Sequence, residues 1–229
     1  MTGGGVARST QGSRRDVGIP LGLVALGLIP LVAGTLRLIQ LAGGPDWMAI
    51  DPRFASTAVP LVAHIVGSAV FVLAGAGQFV SRFRRRGHRW HRRAGRAVAA
   101  AGLVVALSAL WMTLFYAPKP GTGELLFVLR LVFASGMVVA VVLGFAAIRR
   151  RDITAHRAWM IRAYAIGLAA GTQAFTEGLS QATFGHGTLR DDLAKGLGWV
   201  INLAVAEWVI RSPVRRRRAA MAMQLRVAP

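Results

Sequence analysis

Six long apolar segments dominate this sequence and limit what it can fold into. They cover roughly residues 17–42, 58–80, 94–116, 125–148, 158–180 and 196–211. A helix needs about 20 mostly apolar residues to cross the hydrocarbon core of a bilayer. Because a spanning helix satisfies its own backbone hydrogen bonds, the sequence predicts an all-α membrane protein, a bundle of six spans. The fifth segment contains Arg162 and Glu177, and the short sixth contains Glu207.

The chain is also strongly basic, with 28 Lys and Arg residues, a formal net charge of +19 and a mean hydropathy of +0.50. On a soluble domain this charge would indicate nucleic acid. Here the arginines lie between apolar segments, so a membrane is the predicted partner and nucleic acid is not. The sequence has no cysteine, which excludes disulfides, thiolate metal sites and covalent c-type haem.

The connections between the segments alternate in charge. The N-terminal segment, the 81–93 and 149–157 turns and the tail with RRRR at 215–218 are rich in arginine. The other connections balance basic against acidic residues and cover 43–57, 117–124 and 181–195. Because arginine-rich loops stay in the cytoplasm, we expect both termini there, in a bacterial inner membrane. The basic turns would meet anionic lipid headgroups.

The domain organisation follows from the same pattern. We expect one transmembrane domain over residues 17–211, a disordered cytoplasmic N-terminus over 1–16 and a basic cytoplasmic tail over 212–229.

Two of the basic turns share a motif. RRRGHRWHRR at 84–93 and RRRDITAHR at 149–157 both contain RRR-x-x-x-x-HR, so the second histidine of the first turn, His91, matches His156. This spacing predicts a repeated helical hairpin, formed by spans 2–3 and again by spans 4–5, with a pseudo-twofold axis along the membrane normal. The alternative is that arginine-rich turns coincide by chance.

His91 and His156 are candidate cofactor ligands. By the repeat they lie at one depth on different helices near the cytoplasmic edge, which is the geometry that holds b-type haem. Arg96 and Arg162 follow them and could pair with haem propionates. The alternative is that these residues are polar anchors for headgroups.

A second set of polar residues lies inside the spans: Arg37, His64, Gln78, Arg130, Gln173 and Glu177. Charges within a bilayer are costly and often functional. These residues predict an outward-facing polar pocket for a ligand, with an ion pair between Arg130 and Glu177. The alternative is that Arg37 and Arg130 reach the outer headgroups and Glu177 neutralises one of them.

Three stretches, LVAHIVGSAVFVLAGAGQF, HRRAGR and RRRDITAHRAWMIRAYA, resemble the bacterial integral-membrane family called domain of unknown function 2306. The resemblance covers roughly residues 60–180, with HRAWMIR at 156–162 as its most specific motif. Ala97 and Val98 depart from the family pattern, in which an aromatic residue is common. The matching positions are His64, Gln78, His91, Gly95, Arg96, His156, Arg157, Met160 and Arg162. The resemblance implies a helical membrane fold and no established activity.

Three functions remain open on the sequence. The leading hypothesis is a membrane redox protein that binds haem b or a quinone. The second is a small-molecule or proton-coupled transporter that uses Arg130 and Glu177. The third is a non-catalytic lipid-binding or assembly protein whose basic turns contact anionic lipid.

The orientation can be tested with reporter fusions. A reporter that is active only outside the cytoplasm should be active after residues near 50, 120 and 188, because those connections lack the arginine clusters. The same reporter should be silent at residue 88. Activity at residue 88 would reverse the predicted topology.

Overall fold

The computed structural model describes residues 6–54, 57–78 and 88–227, without the side chains of 6–17, 19, 88 and 213–227. The described residues contain seven α-helices, a one-turn 3-10 helix at Pro52–Phe54 and no strand, which confirms the all-α prediction. The α-helices are α1 (Val6–Leu41), α2 (Val59–Gln78), α3 (His88–Phe115), α4 (Glu124–Arg149), α5 (Ile153–Gly167), α6 (Ala169–Phe184) and α7 (Thr188–Val227).

Five described helices are long and apolar enough to cross a membrane. The crossing segments are Pro20–Leu41, Val59–Gln78, Arg89–Phe115, Glu124–Arg149 and Thr188–Ser212. The sixth predicted segment, 196–211, is therefore part of a longer apolar helix. The fifth, 158–180, is not one continuous helix, because α5 has 15 residues and α6 has 16. Neither half alone reaches the length that a straight span requires.

The break between α5 and α6 falls at Leu168 and is held by a side chain of α7. The N–H of Gly171 donates to the carbonyl of Leu168 at 3.1 Å, so a tighter turn interrupts the α-helical pattern. The Asn202 amide donates to the Ala165 carbonyl at 3.0 Å, and its oxygen accepts from the Thr172 hydroxyl at 2.7 Å. Asn202 thus satisfies a carbonyl that the break would leave exposed.

The helices approach closely around one aromatic side chain. Phe71 of α2 is only 1% exposed. Gly102 of α3 and Gly167 of α5 lie against its ring, and a Cβ at either position would come within 2.8 Å of it. Tyr164 packs on the same ring at 5.4 Å and donates its hydroxyl to the Val72 carbonyl at 2.8 Å. The tightest part of the core therefore lies where α2, α3 and α5 meet.

Neighbouring helices pack as antiparallel pairs: α2 with α3, α4 with α5, and α6 with α7, while α1 lies against α2 and α6. The α1–α2, α3–α4 and α6–α7 connections share one end of the bundle, which we call the loop end. The opposite, arginine end holds the α4–α5 turn. The first RRR motif falls in residues 79–87, outside the described residues.

The second RRR motif forms the α4–α5 turn. Arg151 has a φ of 63°, in the left-handed region, which reverses the chain within a few residues. The Asp152 side chain then accepts from the Ala155 N–H at 2.8 Å and caps α5.

The outer helices extend beyond their apolar segments. The described backbone is helical from Val6 and as far as Val227, over stretches that the sequence predicts to be disordered tails. The C-terminal extension is rich in Arg, Ala and Met, which are good helix formers, and the N-terminal extension contains three Arg residues and one Gln. Each extension continues a helix that is already formed, so no new nucleation is needed.

A buried carboxylate joins two helices at the loop end. Asp192 of α7 is 1% exposed and accepts from the N–H groups of Gly123 at 3.0 Å and Leu126 at 3.1 Å. These groups begin α4 and have no partner within the helix. Asp192 therefore caps α4 from another helix.

Replacing Asp192 with Ala should destabilise the protein. The two N–H groups would lose their buried acceptor, at a cost of about 1–3 kcal/mol each. Thermal unfolding in detergent measures the effect. Asp191→Ala is the matched control, because the polar partners of the Asp191 carboxylate among the described residues are the side chains of His186 and Gln181, at 4.0 and 3.5 Å, and not the N–H groups of α4. Equal losses in the two variants would contradict the capping role of Asp192.

Candidate functional site

A chamber of about 630 Å³ lies in the loop-end half of the bundle. All seven helices contribute to its wall, and the 3-10 helix adds Arg53 and Phe54. Most lining side chains are apolar, with a few polar groups among them. This size and this lining are typical of sites for small molecules.

The chamber collects only part of the predicted polar pocket. His64, Arg130 and Gln173 line it. Arg37 instead donates to Gln40 at 2.7 Å and to the Ala49 carbonyl at 3.0 Å, so it supports the α1–α2 connection. The other two predicted residues lie elsewhere: Gln78 is the last residue of α2, at the arginine end, and Glu177 faces a neighbouring cavity.

That neighbouring cavity, which we call the vestibule, has a volume of about 560 Å³. The α3–α4 connection, α6 and the first turns of α7 form its wall, which includes Lys119, Glu177 and Asp191. Arg130 and Lys195 line both the vestibule and the chamber. These two cations therefore lie where the polar vestibule meets the apolar chamber.

The charged groups of α5, α6 and α7 form pairs across helices. Glu177 accepts from Lys195 at 2.6 Å, rather than pairing with Arg130 as the sequence suggested. Arg162, a proposed partner of haem propionates, donates to Glu207 at 2.6 Å. Its guanidinium also lies 4.8 Å from the centre of the Trp159 ring.

Arg130 differs from these residues. In the described part of the chain its guanidinium has no hydrogen-bond acceptor and no carboxylate within ion-pair distance. The nearby Asp192 carboxylate is occupied by the N–H groups that begin α4. Arg130 therefore lines the chamber and the vestibule as a cation without an ion-pair partner among the described residues, with the capping carboxylate of Asp192 nearby.

The α1–α2 connection covers the chamber. Arg53 bonds both oxygens of Asp51, with 2.5 Å between Nη2 and Oδ2, which lowers the pKa of Asp51 and raises the pKa of Arg53. Phe54 packs edge-on against Tyr116 at 5.3 Å. The Tyr116 hydroxyl donates to the Thr57 carbonyl at 2.6 Å, and burial raises the pKa of Tyr116 so that it stays a donor.

His64 is held in one orientation by α3. Its Nδ1 lies 3.1 Å from both the Val105 carbonyl and the Ser108 hydroxyl. Because Ser108 donates to the Val104 carbonyl at 2.6 Å, the network assigns the proton to Nδ1 of His64. The Nε2 atom is then left as an acceptor on a side chain that lines the chamber.

The candidate haem residues lie away from the chamber. His156 Nδ1 lies 2.8 Å from the Gly144 carbonyl, a contact that ties α5 to α4. His91 lies in the first turns of α3, and Arg96 is exposed on the same helix. Among the described residues, no group of three or more His, Asp or Glu side chains could hold a metal ion.

Sequence reasoning missed several residues that build the site. Arg53 and Lys195 are loop-end charges that the sequence treats as orientation signals, yet both line the chamber. Trp199 also lines it and stacks on Phe133 at 4.7 Å. The available signal was the helical spacing of Lys195 and Trp199, which places them on one face of α7.

A double-mutant cycle tests the observed pairing. Glu177→Gln and Lys195→Gln should each lower the free energy of unfolding in detergent, and together they should cost less than the sum, by about 0.5–3 kcal/mol. The comparison cycle combines Glu177→Gln with Arg130→Gln and should be close to additive. Coupling in the comparison cycle but not in the first would favour the Arg130–Glu177 pair.

Comparison with known proteins supports the helical fold. A family model described as "Predicted membrane protein (DUF2306)" matches residues 61–210, well over half of the chain. No curated protein and no solved structure matches the sequence. The matched region contains α2 to α6 and the apolar part of α7, and so most of the chamber wall. The chain is a multi-pass helical membrane protein and belongs to the DUF2306 family of predicted membrane proteins.

Proposed function

We propose that this protein transports or recognises a small, mostly apolar molecule, which it binds in the chamber inside the membrane. The single observation that carries the proposal is the chamber itself, about 630 Å³ of space walled by all seven helices. The chamber is open on part of its surface, where the exposed side chains of Val66 and Val70 line it. Close packing between helices normally leaves no gap of this size. An apolar cavity with a few polar groups is the usual form of a ligand site.

The broken helix supports a transport role. Ile166, Gly167, Leu168 and Ala170 surround the break between α5 and α6, and all four line the chamber. Interrupted helices at a cavity wall are a recurrent feature of transporters. In a continuous helix the backbone groups around Leu168 would bond only to each other. Here the Asn202 side chain bonds the Ala165 carbonyl and the Thr172 hydroxyl on either side of the break.

The proposed topology retains six crossings. Helices α5 and α6 run in series from Ile153 to Phe184, about 48 Å of helix at ~1.5 Å per residue. That length exceeds a hydrocarbon core of about 30 Å, so together they cross as one kinked span. With the arginine end in the cytoplasm of a bacterial inner membrane, the vestibule opens outward. The repeated hairpin then consists of α2–α3 and α4 with α5–α6.

The second candidate function is a redox protein with haem b. His156 supports it, because an Nδ1–H that donates to a carbonyl leaves Nε2 free for a metal, as in many ligating histidines. Engagement of Arg162 by Glu207 counts against it, since that arginine is then occupied. A visible absorption spectrum after expression with ample haem decides: a Soret band lost in His156→Gln would favour haem. A quinone is itself a small, mostly apolar molecule, so the proposed binding in the chamber includes it.

A fluorescence experiment tests binding in the chamber. The probe is a bromine-terminated medium-chain alcohol, because bromine quenches tryptophan at close range and Trp199 lines the chamber. The protein in nanodiscs of neutral lipid should show a saturable component of quenching. Trp199→Phe should remove that component, since phenylalanine retains the stacking on Phe133 but not the signal.

Two matched variants of α3 complete the test. Ala109 lines the chamber, so Ala109→Phe should fill space and abolish the saturable quenching. Ala100 is exposed on the same helix, so Ala100→Phe should leave it unchanged. If quenching does not saturate, or if Ala109→Phe does not alter it, the probe quenches tryptophan from the lipid and not from the chamber. Either result would reject the proposed function.

A further inference from the structure

We propose that the ligand of the chamber carries a single acid group and that Arg130 binds this group where the chamber meets the vestibule. This inference rests on the proposed function and names the chemistry of its ligand: an amphipathic monoanion, with a carboxylate at one end and an apolar body.

The charges on the chamber wall carry the argument. Three cationic side chains line it: Arg53, Arg130 and Lys195. Arg53 is neutralised by Asp51 at 2.5 Å and Lys195 by Glu177 at 2.6 Å. Within the described residues Arg130 has no such partner. Among the described residues Arg130 is therefore the cation of the wall that lacks an ion pair, while the nearby Asp192 carboxylate bonds the first N–H groups of α4.

A cation without an ion-pair partner is unfavourable at this depth. Arg130 lies in the second turn of α4, about 9 Å from Glu124 at ~1.5 Å per residue. Charged side chains inside a bilayer normally pair or face water. A bound carboxylate would neutralise Arg130, and a guanidinium can hold both carboxylate oxygens in parallel hydrogen bonds.

The position of Arg130 also orients the ligand. Arg130 lines the apolar chamber on one side and the vestibule on the other. An acid group at Arg130 would keep access to the polar vestibule, while its hydrocarbon body would lie among the apolar side chains of the chamber. A second negative charge would meet Glu177, which is already paired with Lys195 and would repel it.

The experiment compares three bromine-terminated medium-chain probes of equal length, a carboxylic acid, an alcohol and an amine, by the saturable quenching of Trp199 at neutral pH. At that pH the acid is ionised and the amine is protonated. The acid should bind at least about tenfold more tightly than the alcohol, and the amine more weakly than the alcohol. Equal affinities for acid and alcohol would overturn the inference while leaving the proposed function intact.

Variants of Arg130 assign the effect to one side chain. Arg130→Gln should remove the preference for the acid and leave binding of the alcohol unchanged, so the alcohol also reports that the chamber is intact. Arg130→Lys should keep part of the preference, because charge remains but the paired hydrogen bonds are lost. Arg149→Gln, at the far end of α4, is the matched control and should behave as wild type.

An acid preference that survives in Arg130→Gln would mean that another cation binds the acid, and the inference would fall. If Arg130 instead reaches the headgroups, Arg130→Gln would not affect any of the probes, and this too would overturn it. Failure of all three probes to saturate, the alcohol included, would reject the proposed function itself.

Discussion

The need to neutralise charge within the apolar bundle determines how the last three helices are arranged. Helix α7 supplies a partner to each half of the broken helix: Glu207 pairs with Arg162 of α5, and Lys195 pairs with Glu177 of α6. Between these ion pairs, Asn202 satisfies the backbone at the break itself. A buried ion pair adds little net stability, but removing one partner is costly. The three contacts therefore fix the positions of α5 and α6 on α7, so α7 determines the shape of the chamber wall.

The bundle is tightly packed around Phe71 and leaves open space towards the loop end. Around Phe71 the glycines of α3 and α5 allow close approach and leave no room. Past Leu168 the chain enters α6, which packs mainly on α7 and α1 instead of continuing along α4. Residues on both sides of the break, Ile166, Gly167 and Ala170, line the chamber together with side chains of α2 and α3. A straight helix over 158–180 would instead keep its contacts with α4 along its whole length.

The sequence predicted the features that depend on runs of consecutive residues. It missed the features that depend on contacts between residues far apart along the chain. Apolar length is a one-dimensional property, so the all-α membrane fold and five of the spans were accessible. Intramembrane polarity likewise indicated His64, Arg130 and Gln173. The break at Leu168 was not accessible, because it rests on Asn202, 34 positions away along the chain. The predicted ion pair between Arg130 and Glu177 was wrong for the same reason. It rested on the similar depth of the two residues in the membrane, whereas in the structure Lys195 pairs with Glu177.

The predicted internal repeat relates two residues of the chamber wall. When His91 is aligned with His156, His64 of α2 corresponds to residue 129 of α4, next to Arg130, and the side chains of His64 and Arg130 both line the chamber. The second hairpin is interrupted at Leu168, whereas α3 runs unbroken from His88 to Phe115 through the matching region near Leu103. A duplicated hairpin would therefore have acquired different polar groups and different helix continuity in its two halves. Two identical hairpins related by a twofold axis would present the same side chains to the chamber from both sides. Here His64 is held by α3, whereas Arg130 has no ion-pair partner among the described residues, so the proposed ligand with one apolar and one acidic end would have a single favourable orientation.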